Sequence, residues 1–86
     1  MAKYIIRFKA SAEKEFDNLD KIIGDRIEAK ISSLESEPYP AGAKKLRGKS
    51  GTRIRVGDYR IIYEVDETNK NIMIFKIGHR GEVYKK

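Results

Sequence analysis

The spacing of hydrophobic residues in the first half of the chain changes from the period of a strand to that of a helix. Residues 3–8 predict a first strand. Two apolar stripes with helical spacing follow, namely Ala12, Phe16 and Leu19, and then Ile23, Ile27, Ile31 and Leu34. We predict that Ser11 caps the first helix and Asp20 the second, and that Pro38 and Pro40 lie beyond the second helix. The two helices should form a hairpin with one apolar face against a sheet.

The second half of the chain has the pattern of β-strands. Residues 52–56 alternate polar and apolar positions, and residues 59–65 are rich in β-forming residues. Gly57 and Asp58 stand between them and predict a two-residue turn that begins with glycine. Residues 72–77 are almost continuously apolar, which predicts an interior strand. The order β-α-α-β-β-β predicts one α+β domain, in which an N-terminal strand and a helical hairpin precede a three-stranded antiparallel meander.

The predicted turn also sets which residues of the hairpin oppose each other. Arg55 opposes Arg60, and Arg53 lies on the same face of the sheet, so we expect the hairpin to display all three arginines. Like charges in directly opposed positions destabilise a sheet by up to about 1 kcal/mol, so folding alone does not favour this pair. A bound polyanion would favour it, because guanidinium groups match phosphate in geometry and charge. A basic, solvated sheet face is the simpler alternative. Tyr59 and Tyr63 fall on the opposite face, where we expect core residues.

Composition limits the kinds of site that this domain can hold. The chain has 86 residues, of which 37% are charged, and a net charge of +6. Its partners are therefore expected to be nucleic acid or an acidic protein. It has no cysteine and a single histidine, so we predict neither a disulfide, nor a metal site, nor a cofactor. No apolar run approaches the roughly 20 residues of a membrane span, and no signal sequence is recognisable, which favours a cytoplasmic protein.

A basic loop precedes the hairpin and is expected to extend its positive surface. Its cationic residues are Lys44, Lys45, Arg47 and Lys49. We predict that they bind RNA next to the arginine face, with a solvated loop as the alternative.

The order of these segments resembles the RelE/ParE superfamily of toxins from type II toxin–antitoxin systems, nearer to its RelE side. The resemblance covers nearly the whole chain and is most specific at Lys45–Gly48, Gly57–Tyr63 and Gly78–Tyr84. It implies a metal-independent endoribonuclease, or mRNA interferase, that cuts messenger RNA in the ribosomal A site and is neutralised by a cognate antitoxin. The ribosome, mRNA and an acidic antitoxin are therefore the expected partners. The residues that match the family's catalytic positions are Arg53, Arg55, Arg60, Arg80 and Tyr84.

Metal-free RNA cleavage requires three chemical contributions. The 2′-hydroxyl must lose a proton, the charge on the phosphate must be offset, and the leaving 5′ oxygen must gain a proton. Arg60 and Arg80 can offset the charge. Tyr84 can stack on a base or donate its phenolic proton.

The general base is the contribution that the chain does not obviously supply. RelE-like proteins commonly have lysine where this chain has Arg53 and Arg55, and arginine does not act as a base in proteins. Three alternatives stay open: His79 is the base, a ribosomal group is the base, or catalysis depends mainly on positioning.

Two other functions are compatible with the same fold. A ParE-like toxin would inhibit DNA gyrase, although such members generally lack the converging basic residues and the terminal tyrosine. A non-catalytic RNA-binding module would use the same basic face without a tuned acid or base.

Overall fold

The computed structural model describes residues 3–46 and 51–79, which fold as two helices beside a five-stranded sheet. In chain order the elements are β1 (Ile5–Phe8), α1 (Ala10–Asp17), α2 (Lys21–Ser33), β2 (Lys44–Lys45), β3 (Thr52–Val56), β4 (Tyr59–Asp66) and β5 (Asn71–His79). The sheet order is β1-β5-β4-β3-β2. β1 is parallel to β5 and the other neighbours are antiparallel. The predicted α+β class, the meander and the interior position of the last strand are confirmed.

β2 was not expected, because the sequence predicts a loop over Lys44–Lys45. These two residues pair with Arg53 and Thr52 and add a fifth strand at the edge of the sheet. Consecutive lysines have low β-propensity, so backbone pairing with β3 rather than local preference forms this strand. Short, lysine-rich edge strands are also a common protection against edge-to-edge association.

One predicted helix cap is confirmed and the other is wrong. The Asp20 side chain accepts a hydrogen bond at 3.0 Å from the backbone N–H three residues later, at the start of α2. Ser11 does not cap α1, which already begins at Ala10. The backbone N–H of Lys9 donates to the Ile74 carbonyl at 2.9 Å, so Lys9 stays extended beside β5 and takes the N-cap position itself.

The core lies between the helices and one face of the sheet. Its buried apolar residues are Ala12, Ile27, Ile31, Leu34, Ile54, Ile61, Tyr63, Ile72, Ile74 and Ile77. Tyr63 is fully buried, and its hydroxyl donates to the Pro38 carbonyl at 2.6 Å, which ties the segment after α2 to the sheet. Burial raises the pKa of Tyr63 to about 12. The predicted core position of Tyr63 is confirmed, and Tyr59 packs against the same cluster.

α1 supports β5 where β1 no longer does. β1 pairs with β5 only as far as Ile74. Beyond that point Glu15 of α1 accepts a hydrogen bond at 2.9 Å from the backbone N–H of Ile77 and forms an ion pair with Lys76. A helix side chain thus replaces the missing strand and holds the end of β5 against β4.

Candidate nucleic-acid interface

The hairpin of β3 and β4 has the register that its turn predicts. Arg55 is paired with Arg60 and Val56 with Tyr59. Gly57 has a φ of 59°, whereas Asp58 has no positive φ, which is the backbone pattern of a type II′ turn. The two arginines are therefore directly opposed, as predicted.

The three hairpin arginines share a face but differ in exposure. Arg55 is exposed, Arg53 is half-buried, and Arg60 is only 8% exposed. The expectation that all three are displayed is therefore wrong for Arg60. On β5, Arg60 is paired with Gly78, which has no side chain to hold the arginine away from the sheet and is itself buried. The face thus combines one mostly buried arginine, Arg60, with one exposed arginine, Arg55.

The basic loop divides between the two faces of the sheet. Lys44 is paired with Arg53 and joins the arginine face, whereas Lys45 is paired with Thr52 and lies on the other face. Both lysines are exposed. Arg47 and Lys49 lie outside the described residues, so their predicted role in RNA binding stays a prediction.

His79 lies on the face opposite the arginines. It is paired with Tyr59, and the two rings meet edge-on with their centroids 5.3 Å apart. Strict alternation from the buried Ile74 would have placed residue 79 on the arginine face. A register shift on β5 near Phe75 inserts one extra residue and reverses the faces of all residues after it.

The described part of the structure thus brings together Arg53, Arg55, Arg60 and Lys44, and not His79. The catalytic role of His79 stays a prediction. Arg80 and Tyr84 lie outside the described residues, and their roles likewise stay predictions.

Sequence reasoning missed the contribution of α2 to the basic surface. A cleft of about 340 Å³ beside β3 contains Lys30 of α2 together with Lys44, Arg53 and Arg55. An adjoining cleft contains Lys30 again, with Arg26 and Arg55. In the described parts of the chain no carboxylate lines either cleft. The signal in the sequence was the spacing of Arg26 and Lys30, which places two cations on one helix face.

Residues 3–46 and 51–79 offer neither a cluster of metal-binding side chains nor a membrane-spanning helix. These residues contain no cluster of three or more histidine, cysteine or acidic side chains able to hold a metal ion. Neither of their helices is long and apolar enough to cross a membrane.

Known proteins match this chain over almost its full length. The family model described as ParE toxin of type II toxin–antitoxin system, parDE, matches residues 6–84. Toxin RelG of Mycobacterium tuberculosis is 28% identical, over 96% of this chain and 98% of its own length. A putative RelE-like toxin protein of Escherichia coli is 29% identical, over 95% of this chain and 90% of its own.

A solved structure adds a closer match. The archaeal RelE–RelB complex from Pyrococcus horikoshii OT3 contains a chain that superposes with a TM-score of 0.81 at 33% identity. The match covers 92% of the present chain and 97% of the archaeal one.

Proposed function

This chain belongs to the ParE toxin family of type II toxin–antitoxin systems, within the RelE/ParE superfamily, and we propose that it is a ribosome-dependent endoribonuclease. In this proposal it cuts mRNA in the ribosomal A site. The observation that carries it is the directly opposed pair of Arg55 and Arg60 on one sheet face. Such a pair opposes folding but suits a phosphate backbone bound across the hairpin.

The two arginines are suited to different tasks. Arg60 is mostly buried and so is held in place before substrate arrives, which is the property required of a group that offsets charge in the transition state. Arg55 is exposed and can reach the phosphates of an incoming strand. Arg53, half-buried beside it, would orient the same strand. Arg80 and Tyr84 match the family positions that would complete the charge offset and supply stacking or a proton.

More than one group is a candidate for the general base that removes the proton from the 2′-hydroxyl. The position of His79 beside Tyr59, on the other face, favours a ribosomal base or catalysis by positioning over a histidine base. Dependence on the ribosome follows from this arrangement, because the ribosome would supply the substrate geometry that the domain lacks.

The match to a model named for ParE favours a second candidate, a toxin that inhibits DNA gyrase. This candidate needs no cleavage chemistry and gives no role to the opposed arginines. A non-catalytic RNA-binding module is a third possibility that uses the same face.

A cognate antitoxin is the proposed regulatory partner. The archaeal relative was solved in complex with RelB. The net charge of +6 suits an acidic, largely disordered segment that folds on binding and covers the basic face.

Induction of the protein in a bacterial host, followed by mapping of transcript ends, tests the proposal. We expect translation arrest and new 5′ ends within translated codons. The ends should disappear from a reporter whose start codon is removed, because that transcript does not enter the ribosome. Intact mRNA together with double-strand DNA breaks would instead establish the gyrase function.

A further inference from the structure

We propose that α2 and the free edge of β3 form a second binding surface for RNA phosphates, next to the arginine face. We call this surface the basic trough; its residues are Arg26, Lys30, Lys44, Arg53 and Arg55. Its place in a cleavage reaction rests on the proposed function, whereas RNA binding by the trough can be measured independently.

The trough exists because β2 is short. β2 pairs only with Arg53 and Thr52, so residues 54–56 have no strand neighbour on that side within the described chain. α2 packs above this open edge. At the hairpin turn a Cβ built on Gly57 would lie 3.8 Å from a terminal guanidinium nitrogen of Arg26, so Arg26 reaches the same hairpin that carries Arg55.

The two α2 cations of the trough, Arg26 and Lys30, are not explained by ion pairing with the described residues. Arg26 and Lys30 are four residues apart on α2, a spacing at which like charges destabilise a helix. Neither forms an ion pair with any residue that the structure describes. On the same helix Lys21 does pair with Asp25, at 3.2 Å, so carboxylate partners are available where folding uses them.

Four acidic residues of α1, α2 and the segment after α2 line a different cleft. The cleft between α1, α2 and β1 is lined by Glu13, Asp17, Glu28 and Glu35. On α2, Glu28 therefore faces the cleft beside β1, whereas Arg26 and Lys30 lie apart from these carboxylates, beside β3. Such separation creates a local positive field that concentrates polyanions.

RNA fits the trough better than an acidic protein segment does. A segment that folds on binding gains most of its affinity from apolar burial. The trough is lined by cations together with short apolar side chains such as Ala29, Ala41 and Val56, whereas the acidic-rimmed cleft has the larger apolar side chains of Ile6, Phe8 and Phe16 in its walls. Arg53 and Arg55 also belong to both the arginine face and the trough, so one RNA strand could pass from one to the other in continuous contact with cations.

Substitution of the two α2 cations tests the proposal. The variant R26Q/K30Q leaves the arginine face unchanged, and K14Q/K21Q is the control that removes the same charge from other parts of α1 and α2. Binding of a fluorescent single-stranded 2′-O-methyl RNA, which cannot be cleaved, is measured by anisotropy between 50 and 200 mM salt. Two lost phosphate contacts should reduce the slope of log K against log salt by about 1.4, and the control should keep the parent slope.

A parallel titration with 70S ribosomes distinguishes the source of the RNA. Loss of oligonucleotide binding indicates that the trough takes single-stranded message, and loss of ribosome binding alone indicates ribosomal RNA; either supports the proposal. Equal slopes for R26Q/K30Q and the control with both ligands would overturn it. An equal or greater loss of affinity for a polyglutamate peptide would also overturn it, in favour of an acidic protein partner.

The activity of the parent protein separates this inference from the proposed function. If the parent does not cut translated mRNA but the salt slopes of R26Q/K30Q and the control differ, the endoribonuclease function is refuted and RNA binding by the trough is supported. If the parent cuts translated mRNA and the two salt slopes are equal, RNA binding by the trough is refuted and the endoribonuclease function is not. Circular dichroism checks that each variant is folded. If R26Q/K30Q is unfolded, K30Q alone replaces it, and its slope of log K against log salt should fall by about half as much.

Discussion

Replacement of Arg55 by glutamine should make the domain more stable and less active. Arg55 is exposed and directly opposed to Arg60 across the hairpin. Directly opposed like charges destabilise a sheet by a fraction of a kcal/mol to about 1 kcal/mol, and the exposure of Arg55 to solvent should keep the repulsion near the middle of that range. Glutamine keeps the length and the donor amide but removes the charge. We therefore expect a gain of about 0.5 kcal/mol in the free energy of unfolding, or roughly 2–4 °C in Tm.

The electrostatic origin of this gain can be tested with salt. At 1 M salt the Debye length is about 3 Å, so most of the repulsion is already screened in the parent. The gain in Tm should then largely disappear. The control R55K keeps the charge and should show no gain at either salt concentration. Cleavage of translated mRNA by R55Q should fall about 10-fold or more, because a charged contact to phosphate is lost. A stability loss, or a gain independent of salt, would refute the reasoning.

Three further predictions address the core, the caps and the base. The raised pKa of Tyr63, about 12, means that the folded state holds the phenolic proton more tightly than the unfolded state. Retention of this proton contributes about 2–3 kcal/mol to the free energy of unfolding below pH 10, and the contribution should be lost between about pH 10 and 12. The stability of Y63F should not show this decrease between pH 10 and 12. D20A should cost about 1 kcal/mol of unfolding free energy by urea titration, whereas S11A, at a position that caps nothing, should be neutral or slightly stabilising. H79A should retain most cleavage activity, and a large loss of cleavage in a folded H79A variant would support His79 as the base.

Local features of the sequence were sufficient to predict the hairpin. A two-residue turn fixes the register of its strands, and a one-residue slip would expose Ile54 and Ile61. The register, and hence the pairing of Arg55 with Arg60, follows from residues close together in the chain.

Features that depend on distant residues were not predictable in the same way. The surroundings of Arg60 include Gly78, which is 18 residues away in the chain and which pairing between β4 and β5 brings opposite to it. The face of His79 depends on the register shift near Phe75, and the hydrophobic pattern does not mark the inserted residue because Phe75 suits either face of a strand. β2 depends on pairing with Arg53 and not on the preference of two lysines for extended structure.

The unfavourable charge arrangements of this domain occur side by side. Arg55 opposes Arg60 on the sheet, and Arg26 precedes Lys30 by one helical turn beside the same hairpin. Each arrangement costs a fraction of a kcal/mol to about 1 kcal/mol in the free protein, and one polyanion bound along the hairpin would relieve both. A ligand that binds only the folded state adds stability in proportion to the logarithm of its concentration over Kd. If one RNA strand binds both surfaces, as proposed, removing either unfavourable pair should reduce the stabilisation that RNA confers on the domain.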